Sequence, residues 1–142
     1  MASSAAFADT SFFFALAAKQ DQSHQAALKA LEKLLRAQRQ ILTTDYILDE
    51  ALTLTKARIN ARTALNLIDH IQRSPATIIE WIGRERFDGA KAFFRKHSDH
   101  GYSFTDCTCF VLMRELKLQD VLTTDRHFKQ AGFRLLLPAF GA

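Results

Sequence analysis

Glycine and proline are scarce in this chain, at 5 and 2 of 142 residues. Long irregular loops and a flexible linker between domains are therefore not expected. Cysteine is too rare for a disulfide scaffold. Cys107 and Cys109 stand two positions apart, so on a helix, at about 100° per residue, they point roughly 200° away from each other. They can neither bridge nor share a metal, and buried thiols in a reducing, cytoplasmic setting are expected. No apolar run approaches the ~20 residues of a membrane helix. The longest near the start, SFFFALAA at 11–18, is far too short, and no Lys or Arg precedes it, which argues against a signal peptide. GxGxxG and P-loop patterns are missing, which makes a nucleotide-cofactor enzyme a poor fit. His97, His100 and His127 have no Cys or further His at zinc-ligand spacing.

What is present suits one folded domain over residues 1–142. The composition, 48% hydrophobic and 24% charged, is that of a globular protein. Twelve Phe supply much of the core. A net charge of +4 gives a weak preference for anionic partners such as nucleic acid. The basic residues are spread along the chain rather than gathered in a tail, as expected for solvated helix faces.

Apolar periodicity predicts alternating strands and helices. Residues 5–8 (AAFA) read as a first strand, poor in strand formers. Helices follow over 11–19 and 22–38. ILTT at 41–44 reads as a buried strand, and a helix over 45–58 carries one apolar stripe from Ile47 to Thr55. Asn60 is a helix cap for a segment reaching Arg73, which Ser74-Pro75 ends. TIIEWIG at 77–83 reads as a strand and 85–97 as a helix. Ser103 or Thr105 caps a helix running to Leu116. VLTT at 121–124, a short helical turn ending near Gly132 and RLLL at 134–137 complete the pattern. Strands alternating with helices imply an α/β fold, with a mostly parallel sheet covered on both faces.

The ends of the strands are the informative part. The tetrapeptide LTTD occurs twice, at 42–45 and 122–125, and the first strand runs into Asp9-Thr10-Ser11. In an open parallel sheet, ligands bind beyond the carboxyl ends of the strands. Asp106 lies in the first turn of a helix that is apolar nearly all round, where a lone buried charge would cost several kcal/mol. Each acid has an ordinary structural role open to it. Asp9 and Asp125 suit helix caps, Asp106 suits a helix dipole, and Asp45 fits a helix start. Asp49 and Glu50 are adjacent, and periodicity hardly decides which turns inward. Gathered at one sheet edge, however, such acids repel one another unless a cation sits among them. Hard oxygen donors select Mg²⁺ or Mn²⁺, and a carboxylate-held cation is the arrangement for hydrolysing phosphodiesters.

The segments Asp9-Thr10-Ser11, LTTDYILDEALTL (42–54), YSFTDCTCFVLMRE (102–115) and VLTTDRHFKQAGFRLL (121–136) together resemble PIN-domain proteins of the VapC toxin type. The resemblance extends from about residue 7 to 140. It implies a Rossmann-like α/β/α sandwich with a four- or five-stranded parallel sheet, and Mg²⁺- or Mn²⁺-dependent cleavage of RNA. It places the catalytic and metal-holding acids on Asp9, Glu50 rather than Asp49, Asp106 and Asp125. Supporting hydroxyls fall on Thr10 or Ser11, Thr105 and Thr124. It also implies a homodimer and a cognate antitoxin whose tail enters the acidic groove. Arg126 and His127 are candidates for contact with an RNA phosphate. The competing functions are a housekeeping RNA-processing nuclease of the same fold and a non-catalytic nucleic-acid-binding module.

Overall fold

The computed structural model describes residues 5–138; the outermost residues of the expected 1–142 domain lie outside that range. Five strands form one sheet in the order β3-β2-β1-β4-β5, and every neighbouring pair is parallel. The strands are β1 (Ala6–Ala8), β2 (Ile41–Thr44), β3 (Thr77–Glu80), β4 (Asp120–Leu122) and β5 (Arg134–Leu135). Among the described residues the helices are α1 (Thr10–Ala17), α2 (His24–Arg36), α3 (Asp45–Arg58), α4 (Ala61–Arg73), α5 (Gly83–Lys96), α6 (Phe104–Glu115) and α7 (Arg126–Gln130).

This order makes β1 the central strand and the point where the winding reverses. Crossovers from β1 to β2 to β3 move one way along the sheet, and those from β3 to β4 to β5 the other. Right-handed crossovers then put α1–α4 on one face and α5–α7 on the opposite face. The helix contacts agree, since α1 packs on α2, α3 and α4, while α6 packs on α5 and α7. A reversal of strand order opens a crevice at the carboxyl ends of the two strands that flank it. Here those strands are β1 and β4.

The first strand forms despite its alanines. Ala6, Phe7 and Ala8 are fully buried between β2 and β4, so small side chains are accommodated by close helix packing rather than by branched bulk. Phe7, Phe12, Phe110 and Phe128 are the largest fully buried side chains. Phe110 stands among the rings of Phe93, Tyr102, Phe128 and Phe133 at centroid distances of 5.8, 5.0, 5.0 and 5.8 Å. Cys107 and Cys109 are free and buried, as their spacing requires. Among the described residues, no helix is long and apolar enough to cross a membrane.

Three strands are shorter than their apolar runs suggest. TIIEWIG pairs only to Glu80. Beyond it the Ile82 N–H donates to Asp45 Oδ1 and Arg86 binds the Trp81 carbonyl, and the chain turns into α5 at Gly83, whose φ of +68° suits glycine. In RLLL only Arg134 and Leu135 pair with β4. VLTT stops at Leu122 because side chains take the next amides: Thr124 N–H donates to Ser11 Oγ and Asp125 N–H to Thr123 Oγ1.

Truncating the aromatic hub tests this packing. Phe110→Ala should lower unfolding stability by about 3–5 kcal/mol, read by urea titration followed by circular dichroism. A loss under about 1 kcal/mol would mean that the rings close over the gap.

Candidate active site

Asp9 is delivered by β1. Its backbone N–H donates to the Leu122 carbonyl of β4, and its own carbonyl accepts from Phe12 N–H as α1 starts. It stands at the cap position of α1, yet its side chain makes no cap bond. Instead Asp9 Oδ2 accepts from Thr123 Oγ1 at 2.7 Å. The residue is 7% exposed. Burial, helped by the charges of Asp106 and Asp125, pushes its carboxyl from an ordinary 3.8 up to about 7, against the pull of the Thr123 hydroxyl and the Thr10 amide.

Asp106 comes from the start of α6. Ser103 Oγ accepts from Asp106 N–H and Asp106 Oδ2 accepts from Ser103 N–H, a reciprocal capping box. The second face of that carboxylate meets His127, whose Nδ1 lies 3.2 Å from Oδ2. Its pKa is raised, chiefly by burial and further by Asp125. Asp125 caps α7, with Oδ1 accepting from His127 N–H at 2.9 Å. The same oxygen stands 3.4 Å from His127 Nδ1. Glu50 reaches the group from α3, where its Oε1 accepts from Thr10 Oγ1 at 2.6 Å. Both Asp49 and Glu50 are exposed, so this bond, not burial, distinguishes Glu50. Asp45 makes its structural contact with Ile82 N–H well outside the group.

The hydroxyls fall differently from expectation. Thr10 binds Glu50, and Ser11 Oγ accepts from Thr124 N–H while lying 3.1 Å from Thr123 Oγ1. The hydroxyl on Asp9 is that of Thr123, fully buried, rather than that of Thr124, which contributes its amide. Thr105 offers its carbonyl to Thr108 Oγ1, and its own hydroxyl reaches none of the acids among the described residues. His127, expected at a phosphate, turns its ring onto Asp106 and Asp125, whereas Arg126 is exposed. Two residues, Thr123 and His127 in this role, were thus missed. Their signal was the Thr-x-Asp-x-His spacing of 123–127, which carries both side chains past one strand end.

These acids suit a divalent cation. Asp9 and Asp106 are held largely from water, Asp106 and Asp125 add to the charge Asp9 must bear while Asp125 does the same for Asp106, and no Lys or Arg pairs with the three among the described residues. Oxygen donors in such a group match a hard cation.

Residues 6–134 match the PIN domain family. The chain belongs to that family. It is 31% identical over 129 residues to the 23S rRNA-specific endonuclease VapC20 of Mycobacterium tuberculosis, in two strains, covering 89% of this chain and 94% of the relative. The crystal structure of Mycobacterium tuberculosis VapC20, described as a sarcin–ricin loop cleaving toxin, superposes with a TM-score of 0.82 and 28% identity over 93% of this chain and 98% of that one. FitAcB from Neisseria gonorrhoeae shares the fold, with a TM-score of 0.64 and 14% identity over 91% and 94% of the two chains. This PIN domain is accordingly a metal-dependent nuclease.

The raised pKa of Asp9 carries a sign that can be checked. The folded state keeps a proton that the unfolded state releases, so the metal-free protein loses stability as pH rises from about 4 to 7, by up to about 1.4 kcal/mol per unit. Asp9→Asn removes this contribution. Urea denaturation in EDTA should find the variant more stable than the parent at pH 8, with the gap closing toward pH 4. Equal stabilities at pH 8 would show that Asp9 ionises without penalty.

Proposed function

We propose that this PIN-domain endoribonuclease cuts a structured loop of 23S rRNA, with Mg²⁺ or Mn²⁺ held by Asp9, Glu50, Asp106 and Asp125, and that it is the toxin of a toxin–antitoxin pair. The observation that carries the metal site is the buried Asp9 carboxylate at the strand-order reversal, within electrostatic reach of Asp106 and Asp125, two acids that stand within ligand distance of each other. The RNA target is supported by the likeness to a 23S rRNA-specific endonuclease over most of both chains. The toxin role is supported by the matching toxin structure. An antitoxin tail entering the acidic groove and a second copy of the chain are the partners the resemblance implies.

Each residue has a task in hydrolysis. Asp106 and Asp125, held at two separate helix starts and oriented by backbone amides, would hold the cation, which would supply a lowered pKa for the attacking water and a countercharge for the phosphate. Thr123 fixes one oxygen of Asp9. Thr10 holds Glu50 at the rim. Arg126, exposed beside Asp125, would meet the substrate backbone.

The test is cleavage of an RNA hairpin of sarcin–ricin sequence. EDTA should stop it and Mg²⁺ or Mn²⁺ restore it. Asp9→Asn and Asp106→Asn should each lower the rate at least about 100-fold, the upper end for losing even a group that only hydrogen-bonds a metal ligand, while both variants stay folded. Parent-like cleavage by both would end the metal-site assignment. Cleavage of unrelated RNAs with the hairpin spared would end the substrate assignment. Expression without growth arrest would end the toxin reading.

A further inference from the structure

Among the described residues, His127 is the one nitrogen donor from a side chain of ligating type in the acidic group. One ligand atom each from Asp106, Asp125 and His127 lie within 4.8 Å of one another. Nδ1 is 3.2 Å from Asp106 Oδ2 and 3.4 Å from Asp125 Oδ1. Donors sharing one small divalent cation at about 2.1 Å stand roughly 3–4 Å apart, so the spacing is already that of ligands around a common centre. We propose that His127 Nδ1 is a direct ligand of the cation held by Asp106 and Asp125, a mixed nitrogen–oxygen set that favours Mn²⁺ over Mg²⁺.

Three features hold the ring in this pose. The His127 backbone N–H is bound to Asp125 Oδ1, which fixes the start of α7 against the carboxylate the ring must share. Tyr102, itself 8% exposed, meets the ring edge-on at 5.5 Å and 83°. Gly101 leaves room behind it, because a Cβ there would come within 3.3 Å of Nε2. Coordination through Nδ1 would put the ring proton on Nε2 and turn the Nδ1 lone pair to the space between the two carboxylates. An alternative would send the ring toward a phosphate. The short Asp-x-His spacing across a helix cap instead folds it back over its own strand end.

Imidazole is a donor that Mg²⁺ accepts poorly and first-row transition metals accept well, with Mn²⁺ the weakest of them. Of the two cations an oxygen-rich site would take, the nitrogen selects Mn²⁺. This rests on the divalent-metal reading above, and the experiment separates the two.

Pulsed electron paramagnetic resonance of Mn²⁺ bound to the intact chain reads ligand nitrogen directly. The parent should show a directly bound ¹⁴N coupling that becomes ¹⁵N when the protein is made with ¹⁵N-histidine. His127→Ala should lose the coupling while still binding Mn²⁺, with affinity for Mn²⁺ lowered about tenfold or more and affinity for Mg²⁺ little changed. The isotope exchange in the parent keeps the test independent of how the variant folds. Bound Mn²⁺ without nitrogen coupling, or coupling that survives in a folded His127→Ala, overturns the proposal and leaves the nuclease reading standing. Failure of the parent to bind Mn²⁺ at millimolar concentration overturns both.

Discussion

A carboxylate buried at the end of the central strand, with two more within electrostatic reach, is the constraint on which the rest of the structure depends. Asp9 cannot move away, because its amide and carbonyl are tied to β4 and α1 on either side. Asp106 is locked into the cap of its helix, and Asp125 into the cap of another. Helix starts favour negative charge, so each acid is individually well placed. Collectively they repel, and the fold keeps them together by backbone hydrogen bonds. Such a group is poised for a cation in a way that a flexible surface cluster is not, since the cost of gathering charge has been met by folding.

The sheet explains why these particular positions meet. Reversal of strand order at β1 leaves the ends of β1 and β4 side by side without a crossover between them. Asp9 and Thr123, and likewise Ser11 and Thr124, more than a hundred positions apart, therefore meet at hydrogen-bond distance. Glu50 enters from the α1–α4 face and Asp106 from the face of α5–α7. The site draws on both layers of the sandwich and is intact only when both are docked.

Much of this was legible in the sequence, and the two LTTD segments show where legibility stops. Both were expected to end a strand, with Asp45 given a structural role at a helix start and Asp125 given to the site; what the sequence did not show was how far each strand would run. In the first, β2 runs to Thr44 because β3 pairs with it as far as Glu80. Thr44 then caps α3 and Asp45 binds a distant amide. In the second, β5 pairs only two residues, β4 stops at Leu122, and Thr123 and Asp125 are released toward Asp9 and His127. Identical tetrapeptides take different roles because their neighbouring strands differ in length, a property of the sheet that no local pattern records. Glu50 was chosen over Asp49 by family likeness alone, and the bond from Thr10 is consistent with that choice. Helix α3 was predicted to the residue because its cap and stripe are local. His127 was set beside the phosphates because a ring's direction past a helix cap depends on Tyr102 and Gly101, which lie in another segment.

The central claim, that these acids share a cation, is tested most directly by crystals of this chain soaked in Mn²⁺ and measured at the manganese absorption edge. The account predicts an anomalous peak in the crevice between the ends of β1 and β4, within coordination distance of Asp106 and at least one of Asp9 and Asp125. A well-ordered crevice with no peak, or manganese bound only elsewhere on the protein, would contradict it.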